Sequence, residues 1–121
     1  MRRDEAYLLD MLIAAREAVG LTAHVTREDF ESSRQLQLSI AHLVQTIGEA
    51  ARQVSESARA GYPAIPWEDI VGMRHRLVHE YFRVDSDVVW NTVRHDLPHL
   101  IEQLGGSDPG DRPAPPSVRT A

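Results

Sequence analysis

The chain has 121 residues, 42% of them hydrophobic, with 13 Lys and Arg against 18 Asp and Glu and a formal charge of −5. That length is enough for one domain with its own core, and the lack of cysteine excludes both a disulfide framework and a thiolate metal site. The acidic sum argues against a generic nucleic-acid coat, whose affinity rests on an excess of Lys and Arg over the phosphates, and no stretch approaches the roughly 20 apolar residues of a membrane span. The opening "MRRDEAYLLD" carries acids where a secretory signal would be apolar, so a soluble, cytoplasmic protein with no membrane contact is expected.

Helical periodicity dominates, and no segment alternates with the period of two expected of a half-buried strand. A first helix is predicted from about Asp4 to Val19, with Leu8, Met11, Leu12, Ala15 and Val19 at helical spacing and Gly20 as its stop. Thr26 opens the next helical segment: "TRED" resembles a capping box with Asp for the usual Glu. It leads into a long helix striped by Leu36, Ile40, Leu43, Ile47, Ala51 and Val54, with His42, Gln45 and Glu49 opposite as a solvated face, the alternative being the polar lining of a cleft or dimer seam. Gly48 on that helix lowers helix propensity and allows a close helix contact. After the turn "AGYPAIP", Pro66 suits the first turn of a third major helix. Asp85 or Ser86 caps a fourth, whose apolar face is Val89, Val93, Leu97, Leu100, Ile101 and Leu104, and Pro98 within it predicts a kink. From Gly105 the chain has too little apolar surface to offset ordering entropy. The expectation is an all-α, antiparallel bundle of four to five helices over residues 1–104, with 105–121 as a disordered tail.

The third helix carries the informative stretch, "RHRLVHEYF" at 74 to 82. On a wheel of ~100° per residue, Trp67, Ile70, Val71, Leu77, Val78, Tyr81 and Phe82 gather on one broad apolar face with Arg74 in its middle. Burying a guanidinium alone costs several kcal/mol, so either a partner or a polar cleft is required there. His75 and His79 share the edge of that face one helical turn apart. Residues 74 to 83 hold Arg74, Arg76 and Arg83 against one acid, Glu80, a local excess of positive charge in an acidic chain. Taken alone, these residues also fit a structural ion pair at Arg74, a surface histidine at His79 and a core aromatic at Tyr81. His95 and His99, four apart in "HDLPH", can chelate, but no third ligand sits at a recognisable spacing, so no metal is expected. P-loop, "GxGxxG", "GxSxG" and "HExxH" patterns are absent, which leaves little basis for an NTPase, a dehydrogenase, a GxSxG hydrolase or a zinc protease, and no cofactor is expected.

"RHRLVHEY" resembles the R-x4-H-x-Y motif of HEPN-domain proteins, and specifically of HepT-type toxins encoded beside a small MNT-type nucleotidyltransferase antitoxin. Arg74 matches the motif arginine, His79 the histidine and Tyr81 the tyrosine. The flanks "IGEAAR", "PWEDIVGMRHRLVHEYF" and "VVWNTVRHDLPHLIEQL" are similar to the same family. One departure is His75, where the family often has Asn. The resemblance implies a homodimer whose motif helices line one cleft, a metal-independent ribonuclease acting on RNA through Arg74 and His79, and neutralisation by AMP transfer from the nucleotidyltransferase to Tyr81. Chemistry allows this, because RNA supplies its own 2′-hydroxyl nucleophile and a histidine can act as base or acid near neutral pH. Two histidines and two arginines in one dimeric cleft would supply base, acid and phosphate grip, with His75, Arg76 and Arg83 as auxiliary phosphate contacts. A non-catalytic helical module that binds a nucleotidyltransferase or a nucleotide is the alternative.

Overall fold

The computed structural model describes residues 2–79 and 83–105. In chain order the elements are α1 (Arg2–Leu21), α2 (Arg27–Glu31), α3 (Arg34–Gln53), α4 (Glu56–Ala60), α5 (Trp67–Val71), α6 (Met73–Leu77), β1 (Val78–His79), β2 (Arg83–Val84), α7 (Ser86–Asn91), a π-helical stretch (Thr92–Asp96) and α8 (Leu97–Gly105). Among the described residues the fold is all-α apart from two two-residue strands.

Each long helix buries the stripe its sequence provides. Met11, Leu12 and Ala15 of α1 meet Ile40, Ile47 and Ala51 of α3, and Val89, Val93, Leu97, Leu100 and Leu104 close the same core. Side chains fix the directions of these helices. Asp4, near the start of α1, accepts from the Ser55 amide at 2.9 Å and the Ser55 hydroxyl at 2.8 Å, just past the end of α3. At the other end of α1, the Thr22 carbonyl accepts from Arg94 Nη1 at 3.2 Å, immediately before α8. Both α3 and α8 therefore run antiparallel to α1.

Capping follows the sequence closely. The Thr26 hydroxyl accepts from the Asp29 amide at 3.0 Å, as "TRED" predicts, and Asp85 accepts from the Val88 amide at 3.2 Å at the start of α7. The segment opened by Thr26 is nevertheless separate from the long helix, because Ser33 caps α3 afresh by accepting from the Leu36 amide. Gln37 then donates to the Phe30 and Glu31 carbonyls, satisfying the end of α2. Helix α1 runs one residue beyond Gly20.

Two expectations are corrected. The first is the single helix through Phe82: Gly72 caps α5 by donating to the Glu68 and Ile70 carbonyls, α6 ends at Leu77, and Val78 pairs with Val84 in an antiparallel ladder. Val78 and Val84 are β-branched and favour extended backbone over helix, and the Asp85 cap fixes where the next helix starts. The helical wheel therefore holds only to Leu77, and His75 and His79 are not one helical turn apart. The second is the form of the distortion at Pro98, expected only as a kink. In α register its ring would press on the Arg94 carbonyl. The chain instead widens to a π turn, in which the Leu97 amide donates to Thr92 five residues back, and Pro98 falls in the first turn of α8, where its missing N–H costs nothing.

Helix α8 includes Gly105, and the expected tail beyond it lies outside the described residues. Among the described residues, no helix is long and apolar enough to cross a membrane.

Candidate active site around the motif helix

Helix α6 carries Arg74, His75 and Arg76, β1 carries His79, and the strand register sets His79 opposite Arg83. His75 and Arg76 are exposed. The side chains of Arg74, His79 and Arg83 lie outside the described residues, as does all of Tyr81. What the structure brings together is backbone placement: of the six candidate residues, Arg74, His75 and Arg76 occupy one short helix and His79 and Arg83 the paired strands that follow it.

Three anchors hold that segment. Ile70 and Met73, 4% and 3% exposed, fasten α5 and α6 to the core. Gly48 of α3 lets them approach, since a β-carbon there would sit 3.2 Å from the Ile70 carbonyl oxygen and 3.6 Å from that of Val71. Upstream, the Arg59 guanidinium lies 5.4 Å from the Trp67 ring centre and donates to the Ala51 carbonyl at 3.0 Å, while the Trp67 indole donates to the Tyr62 carbonyl. The entry to α5 is thereby tied to the end of α3.

Downstream, α2 braces the chain as it leaves the hairpin. Ser86 donates to Glu31 at 3.1 Å, and Arg27 bridges Glu31, at 2.9 Å, and Asp87. The Arg27 guanidinium, then the Ser86 hydroxyl, hold the Glu31 carboxyl below its ordinary value, and Glu31 in turn raises Arg27. These groups are exposed, so the brace is orienting and is weakened by salt. Beneath it, Phe30 is fully buried with its ring 5.2 Å from that of Trp90.

A cavity of about 380 Å³ opens between α5–α6 and the π stretch with α8, and its polar wall includes Arg76, His95, Asp96 and His99. His95 and His99, weighed above as a chelating pair, thus share a cavity with a residue of the motif. His99 Nδ1 is 3.8 Å from Glu102, and among the described residues no three His, Cys, Asp or Glu side chains converge as a metal set. On α3, His42 and Glu49 are exposed and Gln45 is half-buried, as a solvated face requires. Sequence reasoning missed the Asp4–Ser55 clamp, the Arg59–Trp67 stack and the union of Arg76 with the two histidines. The first and last join residues far apart in the chain, the second spans a turn of eight residues, and only the first leaves a trace, an acid on the helix face that Leu8, Met11 and Ala15 continue.

The pattern of the family described as "Ribonuclease HepT-like" matches residues 11–105. The chain is 33% identical over 99 residues to "Probable ribonuclease HepT" of Thermococcus cleftensis, covering 82% of this chain and 90% of that one. It is 31% identical over 104 residues to "Putative RNase MJ1216" of Methanocaldococcus jannaschii, covering 85% and 86%. A second protein of that organism, "Putative RNase MJ1380", is 29% identical over 104 residues, covering 85% and 95%. No solved structure gives a significant match. With the family pattern spanning all of the bundle from Met11 onward, motif segment included, the chain belongs to the HepT-like ribonuclease family.

Proposed function

We propose that this protein is a metal-independent endoribonuclease and the toxin of a pair whose antitoxin is an MNT-type nucleotidyltransferase. The observation that carries the reading is the HepT-like ribonuclease match over residues 11–105, which contains Arg74, His79 and Tyr81 intact. The fold supports it: the motif sits at the end of an anchored helix and in a hairpin, where His75 and Arg76 are open to solvent.

In the proposed mechanism His79 takes the proton of a 2′-hydroxyl, whose oxygen attacks the adjacent phosphorus. The bond to the 5′-oxygen breaks, a 2′,3′-cyclic phosphate remains, and the leaving oxygen receives a proton from the second histidine of a homodimeric cleft. Arg74 neutralises the phosphorane oxygens with two parallel N–H donors. His75, Arg76 and Arg83 add contacts to flanking phosphates. AMP placed on Tyr81 by the partner would bring bulk and negative charge to the place RNA phosphate must occupy.

The test is incubation of the purified protein with total RNA in EDTA beside Arg74→Ala and His79→Ala. Cleavage by the wild type and its loss in both variants is expected. No cleavage by the wild type, or undiminished cleavage by both variants, would leave the non-catalytic nucleotidyltransferase-binding module as the better reading.

A further inference from the structure

The cavity beside α6 is lined by residues that, Arg76 apart, have no part in the proposed cleavage reaction. Its floor is aliphatic and anchored in the core: Ile65, Ile70, Met73, Leu97 and Leu100 are each 4% exposed or less. Its rim is polar from two walls, Asp69 and Arg76 from α5–α6 and His95, Asp96, His99 and Gln103 from the π stretch and α8. Among the described residues, the side chains of Asp69, Arg76, His95, Asp96 and Gln103 have no hydrogen-bond or ion-pair partner, and Asp69, Arg76, His95 and Asp96 are exposed.

Size and chemistry restrict that ligand. About 380 Å³ lies near the lower end of small-molecule sites, which suits one base with its sugar and excludes a duplex or a folded peptide. A purely apolar ligand would desolvate the rim without pairing it. A simple anion would leave the aliphatic floor wet and meet two carboxylates. A nucleotide answers both surfaces: the base covers the floor, the guanidinium and imidazoles take the phosphate, and the carboxylates and amide accept from sugar hydroxyls and base N–H groups. Location favours the same class. Met73 and Arg76 line the cavity, and position 74 falls ~160° round α6 from Arg76. Position 74 lies on the same five-residue helix as Met73 and Arg76, so a short run of RNA held at the motif spans the distance to the cavity. The π stretch that supplies His95 and Asp96 is a distortion frequent at functional sites.

We propose that this cavity binds one nucleoside monophosphate unit, base on the aliphatic floor and phosphate at Arg76 with His95 and His99. The proposal rests on the ribonuclease reading for its source, a flanking nucleotide of the RNA strand.

Titration of the isotope-labelled, full-length protein with adenosine 5′-monophosphate, followed by NMR, tests it. Saturable shifts at His95, His99, Leu100 and Gln103 are expected, with binding weakened about tenfold by Arg76→Ala, the loss of one charge-assisted contact. Gln103→Trp, at the half-buried rim, should abolish the shifts by filling the mouth while leaving the remaining spectrum folded. A second arm uses a 2′-O-methylated oligonucleotide, which lacks the nucleophile and cannot be cleaved. Shifts in both arms support a strand subsite, and shifts with the mononucleotide alone support the cavity with a free nucleotide as its source. Inorganic phosphate reproducing the shifts at equal affinity would overturn base recognition, and unmoved cavity resonances in both arms would overturn the site. Since neither arm needs cleavage, a protein that binds here but leaves RNA intact would fail as a ribonuclease while keeping this site.

Discussion

Gly48→Ala asks whether α3 sets the height at which the motif helix rides. A β-carbon there would lie 3.2 Å from the Ile70 carbonyl oxygen, closer than ordinary van der Waals contact, and 3.6 Å from that of Val71. The obstacle is backbone and cannot rotate away, yet it belongs to a five-residue helix that can move by a few tenths of an ångström. Alanine gains about 0.5–1 kcal/mol over glycine in a helix interior, and overpacking costs about 1–3 kcal/mol. The net expectation is a loss of about 1 kcal/mol, or ~4–8 °C in Tm for a domain of this size. Gly48→Val adds two methyl groups against the same carbonyls and should lose about 3 kcal/mol. Urea unfolding and thermal melts give the stability, and RNA cleavage at a temperature where each variant is fully folded gives the effect on the site. Cleavage should fall in both, because α5 cannot lift without carrying α6 and Arg74. A Gly48→Val protein as stable as the wild type would refute the close-contact argument.

Asp4→Asn should lower stability near neutral pH. The Ser55 amide first, and its hydroxyl second, hold the Asp4 carboxyl below the ordinary range. A depressed folded value stabilises fully above the unfolded carboxylate value of about 3.9 and is lost as pH falls through the folded one, so urea titrations should show the gap between wild type and variant closing in acid. Phe30→Ala removes a fully buried ring against Trp90 and should cost about 3–5 kcal/mol by chemical denaturation. Light scattering at micromolar concentration should give a dimer mass, and a monomer would count against the shared-cleft mechanism. Tyr81→Phe should keep cleavage and gain no AMP on co-expression with a neighbouring nucleotidyltransferase, while intact-mass spectrometry of the wild type shows increments mapping to Tyr81.

What could be read from the sequence was whatever local periodicity and capping determine. The stripes of α1 and α3 and the caps at Thr26 and Asp85 all depend on residues within a few positions of one another, whereas Gly48 marked a close contact without naming its partners, Ile70 and Val71. The motif was legible as a string but its shape was not, because Val78, Tyr81 and Phe82 sit at apolar positions that satisfy a helical wheel and also suit extended backbone. Only the pairing of Val78 with Val84, and the start of α7 at Ser86, decide between them. At Pro98 the steric conflict was visible, but the choice between bending and widening depends on keeping both Val93 and Leu97 in the core. The cavity had no signal, since Arg76 and His95 lie nineteen positions apart and meet only through packing.

The contacts at either end of α1 also bear on how the molecule opens. One end is latched by Asp4 to Ser55 and the other by Arg94 to the Thr22 carbonyl, with Thr22 itself fully buried. A helix normally frays from its ends, so its amides exchange with solvent in a graded series. Here Asp4 interrupts fraying within the first turn, and the helix must detach from α3 and α8 together. Its central amides should therefore exchange as a single cooperative block, with the slope against denaturant of a large unit. In Asp4→Asn that block should split, the first two turns acquiring a smaller opening energy of their own while the turns around Ala15 and Ala18 keep the global one.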